Sequence, residues 1–277
     1  MDAVLIGLLT VLLGTVLIVA IFFIQSGGLR AISPNAKKSP LYQPTFLILG
    51  ANNSGKTSLF YKLQDKEVTT TTVSSMEPNI DKVNLPIANP AIAKPFQIID
   101  YPGHLKLQKV FERLILDEIT LKNLKGVIYM IDSSSMNIND DASLERIVKF
   151  LYNLFSITER IPTGVDFLMA VNKTDLFDSV PVHKIRDKLE AEINKLIRHE
   201  IGNVGKTSGI DDGGHGDDGD DDNGHHSENL RAFWMSVVGS GDFRFEKLEG
   251  NVDFIGGSAL KNIGQWENWL DEKVVNP

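Results

Sequence analysis

The feature that most constrains the fold of this 277-residue chain is the segment Gly50-Ala51-Asn52-Asn53-Ser54-Gly55-Lys56-Thr57. It matches without a mismatch the pattern of Gly, four residues, then Gly-Lys-Ser/Thr, which forms a phosphate-binding loop between a strand and a helix. Thr45 to Leu49 before it is typical of a buried strand, and Ser58 to Leu63 after it is typical of a helix. A chance match in a glycine-rich loop would lack this context, so the sequence predicts a phosphate loop in an α/β domain.

The residues of this loop have distinct physical roles. Gly50 and Gly55 let the main chain approach an anion closely, and the N–H groups at the start of the following helix point towards it. Lys56 is expected to contact the outer phosphates of a triphosphate, and Thr57 is expected to be a magnesium ligand. The remaining predicted phosphate-binding residues are Asn52, Asn53, Ser54 and Ser58.

Two further motifs follow predicted strands. In Asp100-Tyr101-Pro102-Gly103-His104, the aspartate can hold magnesium through water and the Gly103 amide can bind the terminal phosphate. In Asn172-Lys173-Thr174-Asp175, Asp175 can accept two hydrogen bonds from N1 and N2 of guanine, which adenine cannot offer, and the stem of Lys173 can cover the base. Ser258-Ala259, after the last predicted strand, can bring the Ala259 amide to guanine O6. Together the motifs predict a site for GTP and Mg²⁺.

From Thr45 onward, short apolar strands alternate with amphipathic helices, which is the pattern of a sheet with helices on both faces. After the first strand, strands are predicted at 95–100, 126–132, 165–172 and 252–255. Helices are predicted at 106–123, 143–156, 182–199 and 263–274. Residues 201–229 interrupt this alternation and are predicted to be a disordered insertion, because they are too polar to bury anything.

The net charge of −8 is concentrated in that insertion, since residues 211–228 contain seven Asp, one Glu and no Lys or Arg. The rest of the chain is near neutral, which argues against direct nucleic-acid binding. The insertion partly matches calcium-binding repeats and EF-hand loops, but Asn223 and Asn229 stand where an EF-hand needs Gly and Glu. A second Gly-Lys-Thr, at 205–207, has Glu200 in place of the first glycine and is predicted to be loop.

The N-terminal residues predict a membrane anchor. Ala3 to Ile24 is 22 residues without a charge, long enough as a helix to cross a hydrocarbon core of about 30 Å. A cleavable signal peptide would have a basic leader and a shorter apolar core, whereas the leader here is Met1-Asp2. Arg30, Lys37 and Lys38 follow the span, which places the rest of the chain in the cytosol. We therefore predict an anchor at 1–24 (span 3–24), a linker at 25–44 and a cytosolic domain at 45–277.

These residues resemble the Ras-like small GTPases, and the resemblance runs from Thr45 to Val275. It implies an α/β fold with a six-stranded, mostly parallel sheet and helices on both faces. Within that superfamily, the chain is similar to the β subunits of the signal recognition particle receptor. The similarity lies in the single N-terminal span, in the switch I-like segment from Thr72 to Asn79, and in Asp-x-Pro-Gly-His at 100–104. Phe243-Arg244-Phe245 and Trp266 to Leu270 are also similar.

The resemblance implies further roles. Thr72 would be the switch I threonine that reaches magnesium and the γ-phosphate, with a one-residue shift within Thr69 to Thr72 left open. His104 would stand where most small GTPases carry the glutamine that orients the attacking water, so we expect GTP hydrolysis to be slow or to depend on a partner.

The resemblance also implies a partner and a place. The chain would bind the N-terminal domain of the receptor α subunit in a GTP-dependent way at the endoplasmic reticulum membrane, close to the ribosome and translocon, for cotranslational targeting. An Arf/Sar-like trafficking GTPase is the main alternative. A pseudo-GTPase scaffold is a third, although the nucleotide residues are all present.

Overall fold

Within the residues described by the computed structural model, six strands form one sheet. They are β1 (Thr45–Gly50), β2 (Asn79–Leu85), β3 (Lys94–Asp100), β4 (Leu124–Asp132), β5 (Phe167–Asn172) and β6 (Val252–Gly256). Their order is β2-β3-β1-β4-β5-β6; β2 is antiparallel to β3, and the other pairs are parallel. The predicted six-stranded, mostly parallel sheet is confirmed.

The helices cover both faces of the sheet, as predicted. They are α1 (Lys56–Gln64), α2 (Gln108–Arg113, continued by the π-helical turn Leu114–Ile119), α3 (Ser135–Ile138), α4 (Asp141–Thr158), α5 (Val182–Gly202), α6 (Asp221–Val238) and α7 (Gly264–Val275). α1 and α7 pack on one face, and α2 to α6 pack on the other. In β1, Phe46 and Ile48 point to the first face, while Leu47 and Leu49 point to the second. Because both faces are covered, the central strands are continuous apolar runs.

The structure describes residues 39–65, 72, 76–103, 108–202, 221–239 and 241–276. The chain divides into two compact units, Met1–Ser39 and Pro40–Pro277, and the helices and strands given above belong to the second. The predicted span, 3–24, lies outside the described residues. Within the described part, no helix is long and apolar enough to cross a membrane.

The helix α6 corrects one prediction. The insertion predicted to be disordered began at residue 201, but α5 continues to Gly202 and α6 begins at Asp221, so the prediction is wrong for 201–202 and 221–229. Trp234 explains why a helix forms: it is fully buried and stacks on Tyr152, with ring centroids 4.8 Å apart. Tertiary packing of one half can stabilise a helix whose other half has little apolar surface. Residues 203–220, with the second Gly-Lys-Thr, lie outside the described residues.

The segment Phe243-Arg244-Phe245 closes the core between α6 and β6. Phe243 and Phe245 are buried and in edge-to-face contact, 5.3 Å apart. Glu190 of α5, only 5% exposed, accepts hydrogen bonds from Arg244 Nη1 (2.7 Å) and from the Phe245 amide (3.2 Å). The buried carboxylate therefore has hydrogen-bond and ion-pair partners.

Candidate functional site

The carboxyl ends of the parallel strands meet at one edge of the sheet, where ligands bind in open α/β sheets. A cavity of about 230 Å³ lies there. Its lining contains most of the residues that the motifs predicted: Asn52, Asn53, Gly55, Lys56, Thr57, Ser58, Thr72, Asp100, Gly103, Asn172, Lys173, Asp175, Ser258 and Ala259. Four motifs thus converge on one cavity, although the first and the last are more than 200 residues apart in the chain.

The phosphate loop has the backbone geometry that its sequence predicts. Gly50 and Gly55 have φ angles of 138° and 98°, and Asn53 has a φ of 61°. A Cβ atom at Gly55 would lie 2.2 Å from Asn172 Nδ2, so glycine is required there by space as well as by conformation. Gly55 is the N-cap of α1 and provides no side-chain hydrogen bond to the helix. The N–H groups of the first turn therefore have no side-chain cap, which suits an anion.

Lys56 lies within this cradle. It is 7% exposed, and its Nζ donates a 2.8 Å hydrogen bond to the carbonyl of Ala51. Burial lowers the pKa of Lys56, while the charge of Asp100 opposes that shift. A bound polyphosphate would give this buried ammonium group a negatively charged hydrogen-bond partner.

Asp100 and Thr57 form an oxygen-rich group beside the cradle. Asp100 Oδ2 accepts hydrogen bonds from Thr57 Oγ1 (2.7 Å) and Asn79 Nδ2 (2.9 Å), whereas its Oδ1 is buried without a hydrogen-bond partner in the described structure. Burial raises the pKa of Asp100, against the effect of those two hydrogen bonds and of Lys56. A cation would satisfy the unpaired oxygen, and oxygen ligands suit Mg²⁺.

The described residues contain no group of three or more His, Cys, Asp or Glu able to hold a metal ion. Mg²⁺ does not need such a group, because it is commonly held by one or two protein ligands together with substrate phosphates and water. The oxygens of Thr57 and Asp100 fit a magnesium ion that arrives with a nucleotide.

The predicted switch residues are only partly described. Thr72 lies on the cavity wall, and its Oγ1 is 3.2 Å from Ser58 Oγ. Gly103 packs against the phosphate loop so closely that a Cβ atom would lie 2.5 Å from the Gly50 carbonyl oxygen. His104 and Thr69 to Thr71 lie outside the described residues.

Asn172 joins the two ends of the cavity. Its Nδ2 donates a 2.7 Å hydrogen bond to the carbonyl of Ser54 in the phosphate loop, and its Oδ1 accepts a 2.8 Å bond from the Ala259 amide. Asn172 is 3% exposed. One side chain thus fixes the spacing between the phosphate loop and the loop that contains Ser258 and Ala259.

Lys173 is held over the cavity by a residue that the sequence analysis did not assign to the site. Its backbone φ is 64°, and its Nζ lies 2.6 Å from Asp132 Oδ2. Asp132 also accepts hydrogen bonds from the Ser134 amide and from Asn137 Nδ2. Burial would raise the pKa of Asp132, but the hydrogen bond and charge of Lys173, together with the bond from Ser134, outweigh burial and lower the pKa. The available signal was an aspartate that ends the predicted strand beside the one ending at Asn172; the two residues are register partners.

Asp175 lies at the more exposed rim of the cavity. Its Oδ2 is 2.7 Å from Lys261 Nζ, and the hydrogen bond from Lys261 is the main reason why the pKa of Asp175 is lowered. The carboxylate is therefore ionised at neutral pH and able to accept hydrogen bonds from a base.

A second cavity, of about 310 Å³, lies on the other side of the phosphate loop. It shares Asn52 and Gly103 with the first, but much of its wall is aromatic: Tyr101, Tyr129 and Phe150. It lacks Lys56, Thr57 and Asp100. Lys56, Thr57 and Asp100, which the sequence predicts to hold phosphate and magnesium, therefore line only the smaller of these two cavities.

A phosphate loop after β1, in a parallel sheet with a single antiparallel edge strand, defines a Ras/Arf-like GTPase fold. The family model described as "Signal recognition particle receptor beta subunit" matches residues 41–252. The chain is 32% identical to the signal recognition particle receptor subunit beta of Saccharomyces cerevisiae, over 88% of this chain and 90% of the yeast protein. This chain belongs to the signal recognition particle receptor β-subunit family.

Other similarities are weaker. The Dictyostelium discoideum receptor subunit beta is 25% identical, over 82% of this chain and 67% of that protein. An ADP-ribosylation factor-like protein of the same organism is 30% identical but covers only 47% of this chain. The Arf-like alternative is therefore less supported than the receptor subunit.

Solved structures agree on the fold. The mammalian SRP receptor structure has a TM-score of 0.58 at 22% identity, covering 83% of this chain and 99% of that one. The SRb-GTP/SRX complex from Chaetomium thermophilum has a TM-score of 0.57 at 21% identity, covering 83% and 98%.

Proposed function

We propose that this chain is the membrane-anchored β subunit of a signal recognition particle receptor, and that it binds the receptor α subunit in a GTP-dependent way for cotranslational targeting. The observation that carries the proposal is the 32% identity to the yeast β subunit over nearly the whole of both proteins. The name of the Chaetomium structure supports the GTP requirement, since it describes an SRb-GTP/SRX complex. The alternative is an Arf-like trafficking switch.

We assign the cavity residues to GTP as follows. The amides of the phosphate loop from Asn52 to Ser58, together with Lys56, bind the phosphates. Asp175 binds N1 and N2 of guanine, Lys173 covers the base, and the Ala259 amide binds O6. The Lys173 stem is positioned by the Asp132 carboxylate, 2.6 Å from its Nζ.

Magnesium is assigned to Thr57, Thr72 and Asp100. The ion would neutralise charge on the β- and γ-phosphates. Asp100 is already oriented by Thr57 and Asn79, so it can receive a hydrated ion without rearrangement of its side chain. His104 is assigned the role of orienting the attacking water, with slow hydrolysis unless a partner positions it.

The anchor, the linker and the location also belong to this proposal. Residues 3–24 would span the endoplasmic reticulum membrane once, residues 25–44 would tether the domain, and the domain would face the cytosol. A permanent helix suits a resident receptor better than a protein that moves on and off membranes.

The proposal is tested with the full-length chain purified in detergent without added nucleotide. Bound nucleotide is released and identified by chromatography, and binding of the α-subunit N-terminal domain is measured with GTP, with GDP and without nucleotide. We expect GTP that remains intact for hours and a complex that forms only with GTP. The proposal would be contradicted, and the Arf-like switch favoured, if the bound nucleotide were GDP with fast exchange and hydrolysis, and if the complex formed equally well without GTP.

Replacement of Asp175 by asparagine is expected to weaken GTP binding and strengthen xanthosine triphosphate binding. Hydrogen bonds to a charged acceptor contribute about 1.5–3 kcal/mol each, so losing one or two lowers GTP affinity on the order of 100-fold. The Asn amide can donate to the xanthine oxygen that replaces the guanine amino group. Equilibrium binding of fluorescent nucleotides measures both affinities.

The matched control is Asp178→Asn, three residues further along the same loop. Asp178 is exposed, is absent from the cavity lining and accepts only a 3.3 Å bond from Ser135 Oγ among the side chains described. Equal weakening by both substitutions, or unchanged GTP affinity in Asp175→Asn, would contradict the assignment of Asp175 to the base.

A further inference from the structure

The turn between β2 and β3 is exposed and apolar. No charged residue occurs from Val83 to Ala93. Ala88 to Ile92 are exposed, and the Ile92 side chain is the most apolar of them at 57% exposure. We call residues 86–93 the apolar tip. A single exposed isoleucine is common on a protein surface, but the residues around Ile92 set the apolar tip apart.

The backbone of the apolar tip is largely satisfied without water. Pro86 and Pro90 have no N–H group. The amides of Ile87 and Ala88 donate to the carboxylate of Asp271 in α7, at 2.5 and 2.8 Å. The amides of Ile92 and Ala93 donate within the turn, to Asn89 and Pro90 at 3.3 and 3.4 Å. A loop with few free N–H groups loses little when water is replaced by a less polar medium.

The apolar tip lies at the edge of the sheet where the chain enters the domain. β1 begins at Thr45 and β3 begins at Lys94; Thr45 pairs with Gln97, and the Gln97 amide donates to the Pro44 carbonyl at 3.0 Å. The candidate nucleotide cavity lies at the opposite edge, after Gly50 and Asp100. A six-residue strand is about 20 Å long, so the apolar tip and the cavity are separated by about the length of a strand.

Basic residues surround the apolar tip. Lys82 and Lys94 bracket it and are exposed, and exposed Lys122 lies just before β4 at the same edge. Val275, 55% exposed, lies at the end of α7 near the same edge. The carboxylate of Asp271, which contacts the tip, accepts hydrogen bonds from the two tip amides. Apolar groups flanked by lysines are typical of elements that lie in the headgroup region of a membrane with anionic lipid.

We propose that the apolar tip contacts the lipid headgroup region of the bilayer that anchors the chain. This inference rests on the membrane anchorage proposed above. At most 14 residues, 25–38, separate the predicted span from the first described residue, and a random coil of that length would have an end-to-end distance of about 20 Å. Such tethering gives a high effective concentration, so a weak contact suffices. The contact orients the domain, with the nucleotide cavity facing away from the membrane.

The chain contains no cysteine, so one introduced cysteine can carry a single probe. The full-length Ile92→Cys variant is labelled with an environment-sensitive fluorophore and reconstituted into nanodiscs of phosphatidylcholine and phosphatidylserine. We expect blue-shifted emission and strong quenching by lipids that carry a quencher near the headgroup. In a labelled Ala91→Cys variant, adding Ile92→Asp is expected to remove most of that quenching.

The matched control is labelled Met136→Cys. Met136 is 83% exposed and lies in α3, just after the carboxyl end of β4, and it lines neither cavity described above. Its probe is expected to remain aqueous and unquenched by lipid. An Ile92 probe as aqueous as the Met136 probe overturns the contact, and so does an Ile92 probe shielded only when the α-subunit domain is added, which would mark a protein-binding surface.

Retention of the unlabelled chain in nanodiscs separates the two proposals. A chain that is retained but has an aqueous Ile92 probe overturns only the lipid contact. A chain that is not retained overturns the proposed anchor, and the lipid contact with it.

Discussion

Replacement of Lys56 by methionine is expected to weaken nucleotide binding strongly while leaving the unliganded domain as stable as before, or more stable. Without a ligand, Lys56 is buried, and burial lowers its pKa because the charged form is desolvated. Methionine keeps much of the apolar stem and removes that cost. The carbonyl of Ala51, which loses a 2.8 Å hydrogen bond, belongs to an exposed residue and can bind water instead.

GTP affinity, unlike the stability of the unliganded domain, should fall. Charge-assisted hydrogen bonds to phosphates contribute about 1.5–3 kcal/mol each, so losing the ammonium group is expected to lower GTP affinity at least about 100-fold. Isothermal titration and thermal unfolding of the unliganded protein measure the two effects separately. Lys62→Met, in the last turn of the same helix, is the control and should leave GTP affinity unchanged. Unfolding of Lys56→Met before nucleotide is added would contradict this prediction, as would undiminished affinity.

Replacement of Trp266 by alanine is expected to lower the free energy of unfolding by about 3–5 kcal/mol. Trp266 is fully buried between α7 and the sheet, and its Nε1 donates a 3.0 Å hydrogen bond to the Ile255 carbonyl. The ring also supports Gly257, where a Cβ atom would lie 2.7 Å from it. Removing the ring frees the adjacent Ser258-Ala259 loop, so GTP affinity should fall with stability.

Urea unfolding with and without GTP measures both consequences. Trp266→Phe retains most of the buried volume but not the hydrogen bond, so its expected loss is smaller, on the order of 1–2 kcal/mol. A Trp266→Ala protein as stable as the phenylalanine variant would show that the ring is not packed as described. Unchanged GTP affinity in a destabilised Trp266→Ala protein would show that the loop is held independently of the ring.

The sequence predicted the central strands because their apolar runs are continuous, and it predicted the phosphate loop because its pattern lies between a strand and a helix. It did not locate β2. That edge strand, Asn79–Leu85, has exposed residues from Ile80 to Lys82, so its pattern is neither a continuous run nor a clean alternation. The helix α6 was missed because the contact that stabilises it, between its own Trp234 and Tyr152 of α4, joins residues that are far apart in the chain.

The candidate site was also predicted only in part. The positions of Asp100, Asn172 and Asp175 could be predicted because they follow strands whose ends meet at one edge. The partners of these residues could not. Nothing local in the sequence indicates that Asp132 pairs with Lys173, or that Asn79 donates to Asp100. Both pairings result from the register of neighbouring strands, which only the assembled sheet defines.

The two hydrogen bonds of Asn172 fix the distance between the two ends of the proposed site. The amide is bonded to the phosphate loop on one side and to the Ala259 loop on the other, so the distance between the phosphate end and the base end is set before any ligand arrives. A ligand must then match that distance as well as the phosphate-binding groups at one end and the base-binding groups at the other. Guanine without phosphates, or polyphosphate without the base, would each contact only one end of the cavity. A whole nucleotide would contact both ends at the distance that Asn172 has already set.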